Sequence, residues 1–419
     1  MLIERPRYLQ DLIASMGSDQ VKIVTGIRRC GKSYLVFKLF KDYLLEQGVL
    51  EQNIIEMAFD TFGNKRFRDP SLFYSFVVKR LETTSGKRFV LLDEVQLLED
   101  FAEVLIDLIG MDDVDVYVTG SNARMLSSDV VTEFRGRGRN IEMSPLTFAE
   151  FFSVYPGDKR DAYDEYATYG GLPAVLSEDA PERKARYLND LYSELYIRDI
   201  VERNKVRDRG NLEELIDVLS SSIGSLSNAS KLADTFKSAK RVAMAPETIE
   251  NYISYLEDAF LISRAKRYDV KGRRYIGTPF KFYFTDLGLR NARMNFRQME
   301  ETHIMENVIY NELKGRGFGV DVGVVPASLK GGDGKYHRAQ LEVDFVCNRG
   351  SQRYYVQSAY SLPTQEKVEQ EQRSLKKIDD SFKKVIITKE GLAPHYNDDG
   401  ILMMNVYDFL LDPNSLSAL

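Results

Sequence analysis

The chain has 419 residues, of which 43% are hydrophobic and 29% charged, proportions that exclude wholesale disorder and fibrous repeats and leave room for two or three domains. Against 63 acidic residues stand 57 basic ones, a formal charge of −6, so any electrostatic footprint for nucleic acid must be local. The two cysteines, Cys30 and Cys347, sit far apart in sequence and lack metal-ligand spacing, so neither a disulfide framework nor a zinc site is indicated, and a reducing cytoplasm fits best.

The first segment, MLIERPRYLQDLIASMG, is broken by charges before any signal-like apolar core develops. No later stretch approaches the roughly 18 apolar residues of a bilayer span. A cytoplasmic protein without a membrane partner is therefore expected.

From Gln20 to about Met143, apolar runs (VKIVTG, NIIEMAF, RFVLLDE, VDVYVTGS, NIEM) alternate with helical patterns that start at Lys32, Pro70 and Phe101. That alternation predicts an α/β domain over residues 1–144, a parallel sheet covered by helices. Residues 145–208 read as a helical lid, interrupted at Gly170, Gly171 and Pro173. Residues 209–285 read as helix, helix, a third helix opened by Pro246, and a basic hairpin, the order of a winged helix. Residues 286–419 read as a second α/β domain built around THIMENVIYNELKGRG, GVDVGVV, LEVDFVC, RYYVQSAY and KKVIIT.

Gly26-Ile27-Arg28-Arg29-Cys30-Gly31-Lys32-Ser33 matches GxxxxGK[ST] directly after a strand and at the mouth of a helix, where glycines let backbone N–H groups turn toward phosphates. These residues and Tyr34 are the expected ATP-binding positions, with Lys32 reaching the β- and γ-phosphates and Ser33 ligating Mg²⁺. The strand FVLLDE ends in Asp93 and Glu94; Asp93 is expected to join Ser33 around Mg²⁺, and Glu94 to orient or deprotonate the attacking water. A third strand ends in Thr119-Gly120-Ser121-Asn122, where Asn122 or Ser121 is expected to hydrogen-bond that water. The arginine–glycine run from Arg135 to Arg139 offers Arg135 and Arg137 as fingers acting on a neighbouring subunit's nucleotide, with a solvated basic loop as the other reading.

GIRRCGKS, VLLDEVQ, VTGSNARML, the GRGR loop and SPLTFAEFF together resemble the prokaryotic AAA+ ATPases of the AAA_14 family. YGGLPAVL, IRDIVERN, YFTDLGL and LEVDFV resemble the DUF4143 region that accompanies it. The resemblance implies an AAA+ P-loop core, a helical lid, a winged helix and a C-terminal domain similar to the restriction-endonuclease fold. It also implies a homo-oligomeric ring, commonly of six.

Endonucleases of that fold use a helix acid, a strand Asp and Glu-x-Lys on the next strand to gather carboxylates around Mg²⁺. Glu306 or Glu312 could be the first and Asp344 the second, but Gln357 and Ala359 stand where Glu and Lys belong. A neutral amide and a methyl group cannot replace them, so a catalytically degenerate domain is expected, with Glu342 a nearby acid that could substitute around a metal.

For DNA, Arg264, Lys266, Arg267, Lys271, Arg273 and Arg274 crowd the expected wing, with Tyr268 and Tyr275 interleaved. Lys237, Lys240 and Arg241 precede the third helix, and Arg203, Lys205, Arg207 and Arg209 add a further cluster. Glu247, Glu250, Glu257 and Asp258 on the third helix would repel a duplex that faced them. Two functions of different class stay open: an ATPase that binds or remodels DNA, including branched or junction DNA, and an ATP-dependent switch or chaperone-like module acting on a protein partner.

Overall fold

The computed structural model describes residues 3–121, 134, 136–240, 244–297, 300–330, 335–391 and 393–417. It divides into two compact units, Met1–Pro145 with Asp258–Phe260, and Leu146–Glu257 with Leu261–Leu419.

In the first unit β1 (Val21–Thr25), β2 (Ile54–Ala58), β3 (Arg88–Asp93), β4 (Val114–Gly120) and β5 (Gly138–Glu142) form one sheet in the order β2-β3-β4-β1-β5. All pairings are parallel, and a parallel sheet covered on both faces needs continuous apolar strands rather than alternating ones. All five residues of β1 are accordingly buried. Even Lys22 is enclosed, its ammonium paired with Asp115 of β4.

One face packs Phe73, Val77 and Leu81 of the helix Pro70–Glu82 and Leu105 and Leu108 of the helix Phe101–Ile109 against Ile55, Met57, Val90, Leu92, Val116 and Val118. Burying each such side chain contributes about 1.5–3 kcal/mol. The helix Pro70–Glu82 starts where it does because Asp69 accepts the Leu72 N–H at 2.9 Å and Pro70 fills the first turn. The register Thr25↔Gly120, Leu92↔Val118 and Ala58↔Asp93 brings the carboxyl ends of four strands to one edge, where parallel α/β sheets place ligands.

The second unit opens with helices Phe148–Phe152, Lys159–Tyr169 and Pro181–Asp190, the first held by a reciprocal Thr147–Glu150 capping box. Its sheet has eight strands: β6 (Ile262–Asp269), β7 (Arg274–Phe284), β8 (Gly319–Lys330), β9 (Tyr336–Arg349), β10 (Gln352–Ala359), β11 (Lys383–Thr388), β12 (His395–Tyr396) and β13 (Leu402–Asn405). Their order is β12-β13-β11-β10-β9-β8-β6-β7. The hairpin expected as a free wing is thus joined to the C-terminal strands. Arg267–Asp269 of β6 pair in parallel with Val322–Val324 of β8, so β6 has ladder partners on both sides.

The motifs YGGLP and TDLGL meet inside this unit. Asp286 accepts the Gly171 N–H at 2.8 Å and the Leu289 N–H at 3.0 Å, and Asn291 donates to the carbonyls of Ala167 and Thr168, both at 2.9 Å. A Cβ on Gly288 would stand 2.0 Å from the Tyr169 carbonyl oxygen, so only glycine permits this approach. Burial pushes the Asp286 carboxyl up to about 6 against the lowering effect of its backbone donors. Among the described residues no helix is long and apolar enough to cross a membrane.

Candidate nucleotide site

The P-loop runs from the end of β1 into a helix that starts at Lys32 and continues through π turns over Leu35–Phe40 to Lys41–Glu46. Gly26 has φ 145°, and a Cβ there would lie 2.0 Å from the Met143 carbonyl oxygen; Arg29 (φ 66°) and Gly31 (φ 104°) also adopt positive φ. Ile27 and Cys30 are fully buried, so they offer a ligand backbone rather than side chain, whereas Arg29 is exposed and Tyr34 is 36% exposed. Lys32 is buried, and its ammonium donates to the carbonyls of Gly26 at 2.9 Å and Ile27 at 3.0 Å. It rests on the loop that it is expected to leave for phosphate.

Ser33 Oγ donates to Asp93 Oδ2 at 2.8 Å, so the two expected Mg²⁺ ligands already touch. The other Asp93 oxygen accepts from the Thr119 hydroxyl. Burial raises the Asp93 carboxyl, the hydroxyls of Thr119 and Ser33 lower it, and the charges of Glu94 and Asp60 raise it again. A carboxylate so placed gains from a cation beside it.

Glu94 turns off the strand at φ 51°. Its N–H donates to Thr119 Oγ1 at 3.1 Å, and its carboxylate accepts from Ser121 Oγ at 3.0 Å and from the Gln96 amide. Arg28 Nε in turn donates to Ser121 Oγ at 3.3 Å. Thr119, a residue given no role in the sequence reading, therefore bridges both acids; its signal was a hydroxyl at the end of an apolar strand. Asn122 and Arg135 lie outside the described residues.

Arg5 was missed altogether. It is buried, and its guanidinium donates to the carbonyls of Cys30 at 3.1 Å and Ser144 at 2.8 Å, tying the N-terminal segment to the P-loop and the end of the domain. Nothing local in the sequence distinguishes it from an exposed arginine.

Arg137 precedes β5 at the amino edge of the sheet, where its carbonyl accepts the Val21 N–H at 2.7 Å. With Ser18, Asp19, Asp113 and Asp115 it lines a cavity of about 540 Å³ at that edge. This cavity is not the nucleotide site: β1 spans roughly 17 Å between it and the P-loop. Arg137 cannot serve the nucleotide of its own chain.

In the second unit Glu306, on the helix Glu301–Gly315, meets Glu342 and Asp344 of β9, and Lys281 of β7 stands among them. The Lys281 ammonium lies 2.9 Å from Glu306, 2.7 Å from Glu342 and 3.6 Å from Asp344, and is 4% exposed. Burial lowers this ammonium, but the three carboxylates outweigh it and hold Lys281 charged. Burial and the neighbouring Glu306 push the Asp344 carboxyl up. Among the described residues no group of three or more His, Cys, Asp or Glu is arranged to hold a metal ion.

Glu312, the other candidate helix acid, is not in this cluster: it is buried and pairs with Arg316 at 2.7 Å. Gln357 donates to Glu371 at 3.1 Å and Ala359 is buried in the core.

The basic hairpin is less free than its composition suggests. Arg264 is withdrawn from any DNA surface, because Glu257 grips it through both oxygens at 2.9 Å and Glu250 takes the other side. Arg267 donates to Gln340 at 3.0 Å, Lys271 lies 3.7 Å from Asp379, and Arg274 lies 3.8 Å from Asp269. Lys266 and Arg273 are exposed, as is Lys237; Arg241 and the Lys240 side chain lie outside the described residues.

Residues 18–152 match the AAA_14 family, described as an AAA domain, and residues 160–300 match a domain of unknown function, DUF8612, in place of the expected DUF4143. An uncharacterized protein of Haemophilus influenzae is 33% identical over 98% of this chain and 99% of its own length. Another of Methanocaldococcus jannaschii is 23% identical over 95% of this chain and 87% of its own. Among solved structures, the Walker-type ATPase of Pyrococcus abyssi aligns at TM-score 0.46 and 15% identity over 70% of this chain and 96% of its own. The ORC2 protein of Aeropyrum pernix aligns at TM-score 0.34 and 12% identity over 69% and 90%. Structural likenesses of this size carry no weight beyond the family match. With its P-loop, acidic strand end and strand order, and with a full-length relative, the chain belongs to the AAA_14 family of prokaryotic AAA+ ATPases.

Proposed function

We propose that the chain binds ATP with Mg²⁺ at Gly26–Ser33 and hydrolyses it as a homo-oligomeric ring, six-membered by family analogy, that binds or remodels DNA. The observation that carries the ATPase reading is the hydroxyl relay in which Ser33 and Thr119 hold Asp93 while Ser121 holds Glu94. Such a relay fixes two carboxylates at separate tasks, which positioning-dominated phosphoryl transfer requires.

The Gly26 cradle, the buried Lys32 and the cation-deficient Asp93 fit the bound nucleotide and metal, which would supply an electrophilic phosphorus and neutralise its oxygens. Lys32 would leave its loop carbonyls for phosphate oxygens, Ser33 and Asp93 would hold the metal, and Glu94 would accept a proton from, or orient, water. Arg28 keeps Ser121 aimed at Glu94. Arg137, at the far edge of the sheet, serves a neighbouring subunit, as would Arg135. Glu94→Gln is expected to keep ATP binding while turnover falls at least about 100-fold, and Lys32→Ala to lose binding. Wild-type turnover by Glu94→Gln would sink this assignment.

The DNA part rests on the exposed Lys266 and Arg273 of the hairpin that carries the 63%-exposed Tyr275. It predicts that duplex, single-stranded or four-way DNA raises ATP turnover at low salt and that the effect fades as salt rises. A second reading, an ATP-dependent switch acting on a protein partner, is favoured by the capture of Arg264 by Glu250 and Glu257. It predicts no stimulation by any DNA. In either case residues 286–419 act as a nuclease-like scaffold silenced by Lys281. Cleavage of DNA with Mn²⁺ that Asp344→Ala abolishes would overturn that view.

A further inference from the structure

We propose that the loop after β2, residues 60–68, grips single-stranded DNA by stacking a base on Phe62 and pairing flanking phosphates with Lys65 and Arg66. The inference rests on the DNA reading above and gives it a contact element in the ATPase unit. Phe62 is 92% exposed, more than any other large hydrophobic residue described. One exposed phenylalanine needs no explanation by itself; its setting does. Thr61 to Arg68 contains three cations and no acid. Lys65 and Arg66 are exposed and form no ion pair with a carboxylate among the described residues.

Phe62 opens a 3-10 helix, Phe62–Arg68, that is pinned back to the end of β2. Asn64 donates to the Ala58 carbonyl at 3.0 Å and Arg68 to the Phe59 carbonyl at 2.9 Å. Phe67 packs on Phe76 with ring centroids 4.9 Å apart, and the Arg66 guanidinium lies 4.6 Å over the Phe67 ring. An exposed aromatic ring followed within four residues by two exposed cations offers a stacking face and phosphate partners to unstacked bases, and a duplex, with its bases already stacked, cannot use the ring. The loop also touches the nucleotide site. The Phe59 N–H donates to the Asp93 carbonyl at 3.1 Å, and the charge of Asp60 reaches the Asp93 carboxyl. A change at Asp93 during turnover is thereby one hydrogen bond from Phe59, in the turn that leads from β2 to Phe62.

The chain has no tryptophan, so Phe62→Trp installs a single indole at the tip. Titrating it with an oligothymidylate of about 16 nucleotides is expected to quench its emission. Binding of the same labelled strand to full-length protein, followed by anisotropy, is expected to weaken about 5- to 100-fold in Phe62→Ala. In the double variant Lys65→Glu/Arg66→Glu the salt slope is expected to fall by about 1.4, with basal ATP turnover unchanged in both variants. If the wild type binds the strand and both variants bind it equally, the loop assignment fails while the DNA reading stands. If the wild type binds no DNA of any form, both fail together. Emission that follows protein concentration and ignores the strand would instead make this surface a contact between copies of the chain, which also overturns the proposal.

Discussion

The two units each gather acidic residues, at the carboxyl end of β3 in the first and between a helix and β9 in the second, and they resolve the resulting charge in opposite ways. At Asp93 and Glu94 the neighbours are neutral hydroxyls of Ser33, Thr119 and Ser121, which orient the carboxylates without cancelling their charge. At Glu306, Glu342 and Asp344 an ammonium from the chain itself, Lys281, occupies the centre. Hydroxyl partners leave a charge available for a ligand cation; a buried lysine consumes it. Two acidic clusters that look alike in sequence therefore differ in what they can bind.

The largest effect should come from Lys281→Met, which leaves the carboxylates uncompensated and is expected to destabilise the second unit by about 3–5 kcal/mol in chemical denaturation. Carboxyl groups raised by that loss are neutral in acid, so the defect should shrink as pH falls. An unchanged midpoint at neutral pH would mean that the cluster is not neutralised from within.

Next in size, MgATP at a hundredfold excess over its Kd should stabilise the first unit by about 2.7 kcal/mol, an effect absent in Lys32→Ala. Mn²⁺ alone should not protect the second unit; thermal scans that show it doing so would erase the contrast between the clusters.

Asp286→Asn turns an amide N–H toward a backbone donor and should cost about 2 kcal/mol. Because the folded Asp286 titrates at about 6, above the unfolded value of about 3.9, its stabilising contribution is fully present below the unfolded value. It is lost as pH rises through 6. The gap between wild type and variant should therefore widen from pH 6 to pH 4, and a gap of constant size would contradict the raised carboxyl.

Smallest is Thr119→Val, which removes one hydrogen bond from each acid at constant shape. A stability loss of about 1 kcal/mol and a turnover loss of roughly tenfold are expected, read by denaturation and steady-state ATPase assay. Normal turnover would return the role to residues beyond Ser121.

Much of the first unit was legible. Its strands are apolar throughout because both faces are covered, and the P-loop announces itself because positive φ at Gly26 and Gly31 and a Cβ-free approach to Met143 leave little choice of residue. The second unit was harder to read. A basic hairpin has the same sequence whether it stands free as a wing or lies between β8 and the sheet edge, since ladder partners arrive from about fifty residues away. Arg264 looked like a phosphate contact until Glu250 and Glu257 were brought to it by the packing of a helix.

What the sequence by itself determined is local: strand and helix periods, the glycines of the phosphate loop, and the adjacent pair Asp93-Glu94, all set by backbone geometry within a few residues. Only the tertiary structure decided which charges survive. Thr119 reaches Asp93 across neighbouring strands, Arg5 reaches the P-loop from the N-terminus, and Lys281 enters the Glu306–Asp344 cluster from another strand. Electrostatic partners act over a few ångströms in space and without regard to separation along the chain, so the fold had to be known before the fate of either acidic cluster could be read.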